Sequence, residues 1–257
     1  MLDYSKKVVA SIEARMTSSR LPGKVLLEAI DGISMLEFMI QRVKKSKYID
    51  DIIVATTINS EDDKIVELCK KLNIKFYRGS EEDVLSRVLN AHKFINSDVI
   101  VELTGDCPLI DPEIIDKVIL EYLDGEYDYV SNDHERSYPL GLDVQVFSTE
   151  ILAEVDRKTK NKDDREHVSL YIYSSGEYSL KAVVAEDSLF WPDLRITLDD
   201  HGDYNFIRKI IENFYPINGY DFISKDIITY IKNNMHLLKL LDGVRASDHS
   251  NEKIAKK

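Results

Sequence analysis

The chain of 257 residues has only two cysteines, one tryptophan and no apolar run long enough to span a membrane. Cys69 and Cys107 lie in unlike contexts, with no Cys or His spacing suited to zinc. A disulfide framework and a zinc knuckle are therefore excluded, and both thiols are expected to be reduced. The apolar run Val8 to Ile12 is too short for a signal-peptide core, so a cytoplasmic protein with no membrane partner is expected. Positive charge is also in short supply. The net charge of −12 argues against a surface that holds nucleic acid or an anionic membrane face, since such partners are bound mainly by phosphate neutralisation. Any phosphate chemistry must be local. No internal repeat or low-complexity block appears.

What is present is an ordinary globular balance, 44% hydrophobic against 31% charged residues, in a chain long enough to bury a full core. Short β-branched runs alternate with segments of helical period, which predicts an α/β fold with a mixed, mainly parallel sheet flanked by helices. Strands are expected at Val8 to Ile12, Asp51 to Thr57, Ile74 to Tyr77 and Asp98 to Leu103. Helices are expected at Ile33 to Lys44, Glu61 to Leu72 and Val84 to Phe94. Asp111-Pro112 reads as the N-cap and first residue of another helix. Past residue 125 the rhythm changes, and residues 126–190 read as a smaller inserted acceptor or dimerisation region within a single domain spanning 1–235. Strands at Tyr127 to Val130, Asp143 to Phe147 and Tyr178 to Val184 belong to it, with helices at Thr149 to Arg157 and Asp164 to Tyr173. The main sheet is expected to resume with a strand at Arg195 to Leu198. Residues 236–257 read as a tail that is partly disordered.

Two constellations carry candidate chemistry. Ala14 to Leu26 leaves the first strand with Arg15, Arg20, Lys24, three hydroxyls and Gly23, a composition suited to a polyphosphate beyond the strand's carboxyl end. It is neither a Walker A loop nor a dinucleotide fingerprint. The second pairs Asp106, in Gly105-Asp106-Cys107-Pro108-Leu109, with Asp199 after Arg195 to Leu198. Two carboxylates suffice for Mg²⁺ or Mn²⁺ if phosphates supply the remaining ligands. The sequence leaves open whether Asp199, Asp200 or Asp203 holds the metal.

Ala14 to Leu26 closely resembles the N-terminal signature of cytidylyltransferases that activate 3-deoxy-octulosonate and acylneuraminate sugars, and above all the SpsF group of spore coat polysaccharide proteins. Further segments resemble that group in the expected order: Phe76 to Gly79 with Asp83, Val84, Leu85 and Arg87; Thr104 to Ile110; Gly141 to Phe147; Arg165 to Val168; and Arg195 to Asp199. The likeness runs from about residue 8 to residue 210. It implies a nucleotide-diphospho-sugar transferase-like fold (GT-A or Rossmann-like), often with a dimer contact, and hence a homodimer. It also implies transfer of CMP from CTP to a sugar acid or related sugar, in polysaccharide or glycoconjugate synthesis. By the same resemblance Ala14, Arg15, Met16, Ser18, Ser19, Arg20, Lys24 and Thr104 contact the nucleotide, with Arg15, Arg20, Lys24 and Asp106 catalytic. Arg78, Asp83 and Arg87 would lie near the nucleoside, and Asp106 and Asp199 would bind the metal.

Arg136, Asp143, Arg165, Glu166 and His167 are the candidates for the acceptor, where Arg165 or Arg136 would pair with a sugar carboxylate. GTP or UTP as donor, a glycosyltransferase that consumes a nucleotide sugar, and a noncatalytic nucleotide-binding domain stay open as alternatives.

Overall fold

The computed structural model describes residues 5–241. The chain opens with strand β1 (Val8–Glu13), a tight hairpin of β2 (Glu28–Ile30) and β3 (Ile33–Ser34), helix α1 (Met35–Val43) and strand β4 (Asp51–Thr57). Helix α2 (Asp63–Lys71), β5 (Lys75–Gly79), α3 (Val84–Ile95), β6 (Val99–Thr104) and α4 (Pro112–Asp124) follow. Beyond them come β7 (Tyr129–Ser131), β8 (Gln145–Ser148), α5 (Thr149–Lys158), the short α6 (Lys162–Glu166) and α7 (Leu170–Ser174), and β9 (Leu180–Ala182). Two helices, α8 (His201–Asn218) and α9 (Ser224–Asn233), complete the elements before a 3₁₀ turn at Met235–Leu240.

Local chemistry fixes several helix starts. Ser34 accepts from the Glu37 amide at 3.2 Å, Asp83 from Ser86 at 3.0 Å, and Asp111 from Glu113 at 2.8 Å ahead of Pro112. Each side chain satisfies a donor that the first helical turn leaves without a partner.

The main sheet has seven strands in the order β5-β4-β1-β6-β8-β7-β9. β5, β4, β1 and β6 run parallel, β8 is antiparallel to both β6 and β7, and β9 is parallel to β7. Helices cover both faces. On one side Ile12, Val101 and Val146 pack with α1, α4 and α8 through Met39, Ile115 and Phe206. On the other, Val9, Ile53 and Ile100 meet α3, α5 and α7 through Val88, Leu152 and Ile172. Each such side chain, fully removed from water, contributes about 2 kcal/mol. The carboxyl ends of β1, β4 and β6 thus share one edge, where ligands collect in sheets of this type.

One buried cation ties the end of the chain to this core. Arg42, wholly buried on α1, donates Nε to the Ile110 carbonyl at 2.8 Å and NH1 to the Tyr220 carbonyl at 3.0 Å. Its guanidinium lies 4.2 Å from the centre of the Phe222 ring. Burial pushes its pKa down to about 10, against the pull of Asp111 and Asp221.

Four features depart from the expectation. Residues 126–190 supply β7, β8 and β9 to the main sheet, so this stretch extends the sheet instead of standing apart from it. Arg195 to Leu198 makes one isolated bridge, Leu140 to Arg195, and is not a strand of the sheet. The helix expected at Asp164 to Tyr173 is two, broken around Val168, whose φ is 43°. A β-branched residue in that region cannot continue a helix. Finally, residues 236–241 of the expected tail are ordered by the 3₁₀ turn, which lays Leu237 into the core; the rest of that tail lies outside the described residues. Among the described residues no helix is long and apolar enough to cross a membrane.

Candidate active site

The Ala14 to Leu26 loop is held at both ends. The Ala14 amide extends the β1–β4 pairing by donating to the Ala55 carbonyl at 3.3 Å, and the Met16 amide donates to Asp62 at 2.7 Å. Asp62 is itself buried and takes further hydrogen bonds from Thr56 and Thr57 at the end of β4. The Met16 carbonyl then gathers the turn, accepting from Ser18 at 3.0 Å and Gly23 at 2.8 Å. Gly23 has φ 72°, a conformation glycine adopts without a side-chain clash. Leu21 and Val25 anchor the loop in the core, which leaves Ser18, Ser19, Arg20 and Lys24 on the cleft side.

Gly105 brings the second segment in. Its amide donates to the Glu13 carbonyl at 2.9 Å, and a Cβ at this position would lie 2.7 Å from that same oxygen. Only glycine lets β6 turn this close to β1, which sets Asp106 beside the loop. The Leu198 amide donates to the Asp106 carbonyl at 2.8 Å and draws the third segment alongside.

Three acids follow, and they point in different directions. Asp203 accepts from the Asp199 and Asp200 amides at 2.9 and 3.2 Å and pairs with Arg195 at 2.6 Å. Asp200 accepts from Gly202 and Asp203 at 2.7 and 3.1 Å, closing a capping box on α8. Both are turned into the helix cap and towards Arg195, with Asp200 Oδ2 buried 3.8 Å from its guanidinium and without a hydrogen bond. Asp199 alone of the three lines the cleft.

The outcome is a cleft of about 420 Å³ in which Lys24 Nζ sits 3.0 Å from Asp106 Oδ2 and 3.0 Å from Asp199 Oδ1. Arg20 reaches Asp199 at 2.9 Å. Arg15 reaches across to Glu81 at 3.1 Å, at the mouth. Burial would lower the Lys24 pKa, but Asp106 and Asp199 more than offset it, and the net direction is upward. Burial would raise the Asp106 carboxyl, yet Lys24 beside it brings the net shift downward. Both groups are thus held ionised. The two carboxylates close on one ammonium, a donor set that suits a hard divalent cation whose remaining positions are filled by phosphate and water. Among the described residues no group of three or more His, Cys, Asp or Glu forms a metal cage, so a cation here relies on ligands from outside the protein.

Ala14, Arg87, Thr104, Glu166 and His167 also line the cleft. Met16, Arg78, Asp83, Arg136, Asp143 and Arg165 are not among its lining residues. Arg78 is engaged with the Thr57 and Asn59 carbonyls at 2.8 and 2.7 Å and with Asp63 at 2.6 Å, bracing the β4–α2 turn. Asp83 caps α3 and receives both Nε and NH2 of Arg165 at 2.9 and 2.6 Å. The two residues expected on opposite sides of the reaction thus hold each other, pinning α6 to α3. Arg136 pairs with Asp143 at 2.7 Å.

Glu13 is the functional candidate that motif reading passes over. It ends β1 on the cleft floor, and burial pushes its carboxyl up to about 8, opposed by Arg87 and Ser11 and assisted by Asp106. A single carboxylate closing the apolar run Val8 to Ile12 was the available signal. Thr17 also lines the cleft and hydrogen-bonds Glu81.

The chain has relatives among known proteins. The family profile described as cytidylyltransferase matches residues 9–210. An uncharacterized protein from Methanocaldococcus jannaschii is 39% identical over 244 residues, covering 95% of this chain and 98% of that one. The spore coat polysaccharide biosynthesis protein SpsF of Bacillus subtilis is 32% identical over 231 residues, covering 87% of this chain and 93% of that one. The solved structure of a cytidylyltransferase from Leptospira borgpetersenii superposes with a TM-score of 0.85 at 32% identity, over 94% of this chain and 99% of that one. The profile spans the Lys24 loop, Asp106 and Asp199 alike, and the chain belongs to the cytidylyltransferase family.

Proposed function

We propose that the protein transfers CMP from CTP to a hydroxyl of a sugar-like acceptor and releases pyrophosphate, with Mg²⁺ or Mn²⁺ as cofactor. The observation that carries this reading is the bridge of Lys24 between Asp106 and Asp199, beside Arg15 and Arg20. In the reaction an acceptor hydroxyl oxygen forms a bond to the α-phosphorus and gives up its proton to solvent, while the bond from that phosphorus to the bridging oxygen of the β-phosphate breaks in line and pyrophosphate leaves. Charge gathers on the non-bridging and leaving-group oxygens, so catalysis rests on positioning and on fixed positive charge.

Arg15, Ser18, Ser19 and Arg20 take the polyphosphate as it enters along the loop. Lys24, at the base, stays ionised and meets the oxygen on which charge develops. Asp106 and Asp199 would hold the divalent cation, which neutralises phosphate charge when bound. Arg15 leaves Glu81 for the phosphates at modest cost, because that pair is partly exposed. The product is placed in polysaccharide or glycoconjugate assembly, a reading supported by the name of the spore coat relative.

The test is pyrophosphate release from each of the four nucleoside triphosphates, with Mg²⁺ and an acceptor panel, for the parent and for Asp106→Asn and Asp199→Asn. Release specific to CTP that falls at least a hundredfold in both folded variants is expected. Equal release in the variants would refute the site, and preference for another nucleotide would refute the donor.

A further inference from the structure

The mouth of the cleft is bounded on one side by two strand ends that arginines hold in place. At the end of β4, Arg78 gives Nε to the Thr57 carbonyl at 2.8 Å and NH2 to the Asn59 carbonyl at 2.7 Å. At the end of β5, the buried Arg87 gives NH1 to the Ser80 and Glu81 carbonyls. Gly79 makes room for it, since a Cβ there would stand 2.9 Å from the Arg87 side chain. The backbone that carries Asn59 and Glu81 is thus fixed by side chains of its own strands.

Both carboxylate oxygens of Glu81 are engaged across this rim. Oε1 accepts from Thr17 Oγ1 and from Arg15 NH1, the latter at 3.1 Å, and Oε2 accepts from Asn59 Nδ2 at 2.6 Å. Hydrogen bonds from Thr17 and Asn59, joined by the Arg15 charge, hold the carboxyl below its ordinary range, so Glu81 is an anion at neutral pH. To an arginine and a hydroxyl of the phosphate loop, such a carboxylate offers what a phosphate oxygen offers. Position matters as well. Arg15 lines both the cleft and the adjoining pocket behind α6, whereas Glu81 lines only the second. Glu81 therefore draws Arg15 towards the outside of the cleft.

Resting on the nucleotide reading above, we propose that Glu81 is a built-in competitor of the polyphosphate: its carboxylate holds Arg15 in the free protein, yields it to CTP and takes it back as pyrophosphate departs. Glu81 is a positioning residue that acts through Arg15. It weakens the binding of substrate and product alike, and its benefit lies with the product. Pyrophosphate carries several negative charges and would stay on Arg15, Arg20 and Lys24, but an internal anion reclaims the most exposed of these three cations. The exchange is reversible because the Arg15 and Glu81 side chains are 46% and 30% exposed, and pairs in such settings are weak. Met16, between Arg15 and Thr17, keeps its amide on Asp62, so both neighbours can change partner about a fixed point.

Calorimetry on the full chain with MgCl₂ measures the affinity for CTP and, separately, for pyrophosphate. The parent is compared with Glu81→Gln, Glu82→Gln, Arg15→Ala and the double variant Arg15→Ala with Glu81→Gln, each checked for folding by a thermal melt. Glu82→Gln makes the same change of charge one position along, at an exposed residue that forms no ion pair among the described residues. Glu81→Gln should bind both ligands about threefold more tightly than the parent or better, the scale of a partly exposed ion pair. Glu82→Gln should bind like the parent. In the Arg15→Ala background the Glu81 substitution should bring no gain, because the cycle isolates the pair. Glu81→Asp withdraws the carboxylate at unchanged net charge and should move affinity the same way, which keeps the question answerable if Glu81→Gln does not fold. Equal or weaker binding by the folded Glu81 variants, the same gain in Glu82→Gln, or a gain that persists without Arg15 overturns the proposal. Absence of CTP binding in the parent overturns the nucleotide reading itself, and the role of Glu81 falls with it.

Discussion

Replacing Lys24 by Met keeps the length of the side chain and removes its charge. In the parent, Lys24 is 14% exposed and touches Asp106, 28% exposed, and Asp199, 14% exposed. Breaking a fully buried pair by removing one partner costs about 3–5 kcal/mol. Here Asp199 keeps Arg20 at 2.9 Å and Asp106 is partly solvated, so the loss should fall below that range, at about 2 kcal/mol. For a domain of this size that is a fall in Tm of about 4–8 °C. The sign of the Mg²⁺ effect is the sharper test. With Lys24 gone, the two carboxylates repel each other, and a divalent cation meets no competing ammonium. Added MgCl₂ should therefore raise the Tm of Lys24→Met more than that of the parent, as expected for a ligand that binds only the native state. Turnover should still fall by about a hundredfold, since a fixed charge worth about 3 kcal/mol to the transition state is missing. Thermal melts with and without MgCl₂, run beside a pyrophosphate assay, read all three quantities. If the variant melts like the parent and responds no more strongly to Mg²⁺, the bridge does not hold the acids together as described.

Four further outcomes follow from the same geometry. Asp203→Ala removes the buried partner of Arg195 and the acceptor of two backbone amides, and should cost about 3–5 kcal/mol in a denaturant melt; Asp199→Asn leaves Lys24 paired with Asp106 and should cost less than that, while turnover falls at least a hundredfold. Glu13 is raised to about 8 from an ordinary value of 4.5, so the folded state binds the extra proton between those pH values, and its stabilising contribution is present below 4.5 and lost as pH rises through 8. Glu13→Gln should therefore gain Tm relative to the parent between pH 5 and pH 8, and parallel profiles would refute the assignment. Gly105→Ala forces a methyl group against the Glu13 carbonyl and should destabilise by about 1–3 kcal/mol, with Asp106 displaced and turnover reduced in a steady-state assay.

The parallel half of the fold was legible because period and capping agree there. Val8 to Ile12, Asp51 to Thr57 and the Asp111-Pro112 start each combine a pattern with a local physical cause. The β2–β3 hairpin was not, since runs of three and two residues carry no measurable period. Arg195 to Leu198 alternates like a strand, but its neighbour Leu140 bridges it at one point only, a tertiary fact that no local window contains. The loop cations and both cleft acids were readable from their segments. Which of Asp199, Asp200 and Asp203 faces the cleft turned on capping: the acid three residues after an acidic N-cap closes a box, and only the residue before the cap is left for the ligand. The union of Arg165 with Asp83 spans 82 positions, and charge type alone does not announce such a partnership.

Arg42 has a bearing on how this protein can be re-engineered. Its guanidinium has no carboxylate within its own shell and depends on carbonyls from two distant places, Ile110 just after the Asp106 turn and Tyr220 between the last two long helices. A truncation that removes Tyr220 and Phe222 would take away one carbonyl acceptor and the ring against this buried guanidinium, leaving it held by the segment just after Asp106 alone. The Tyr220 to Phe222 stretch is in that sense a foundation of the Asp106 turn, and grafting or shortening it is an alteration of the cleft itself.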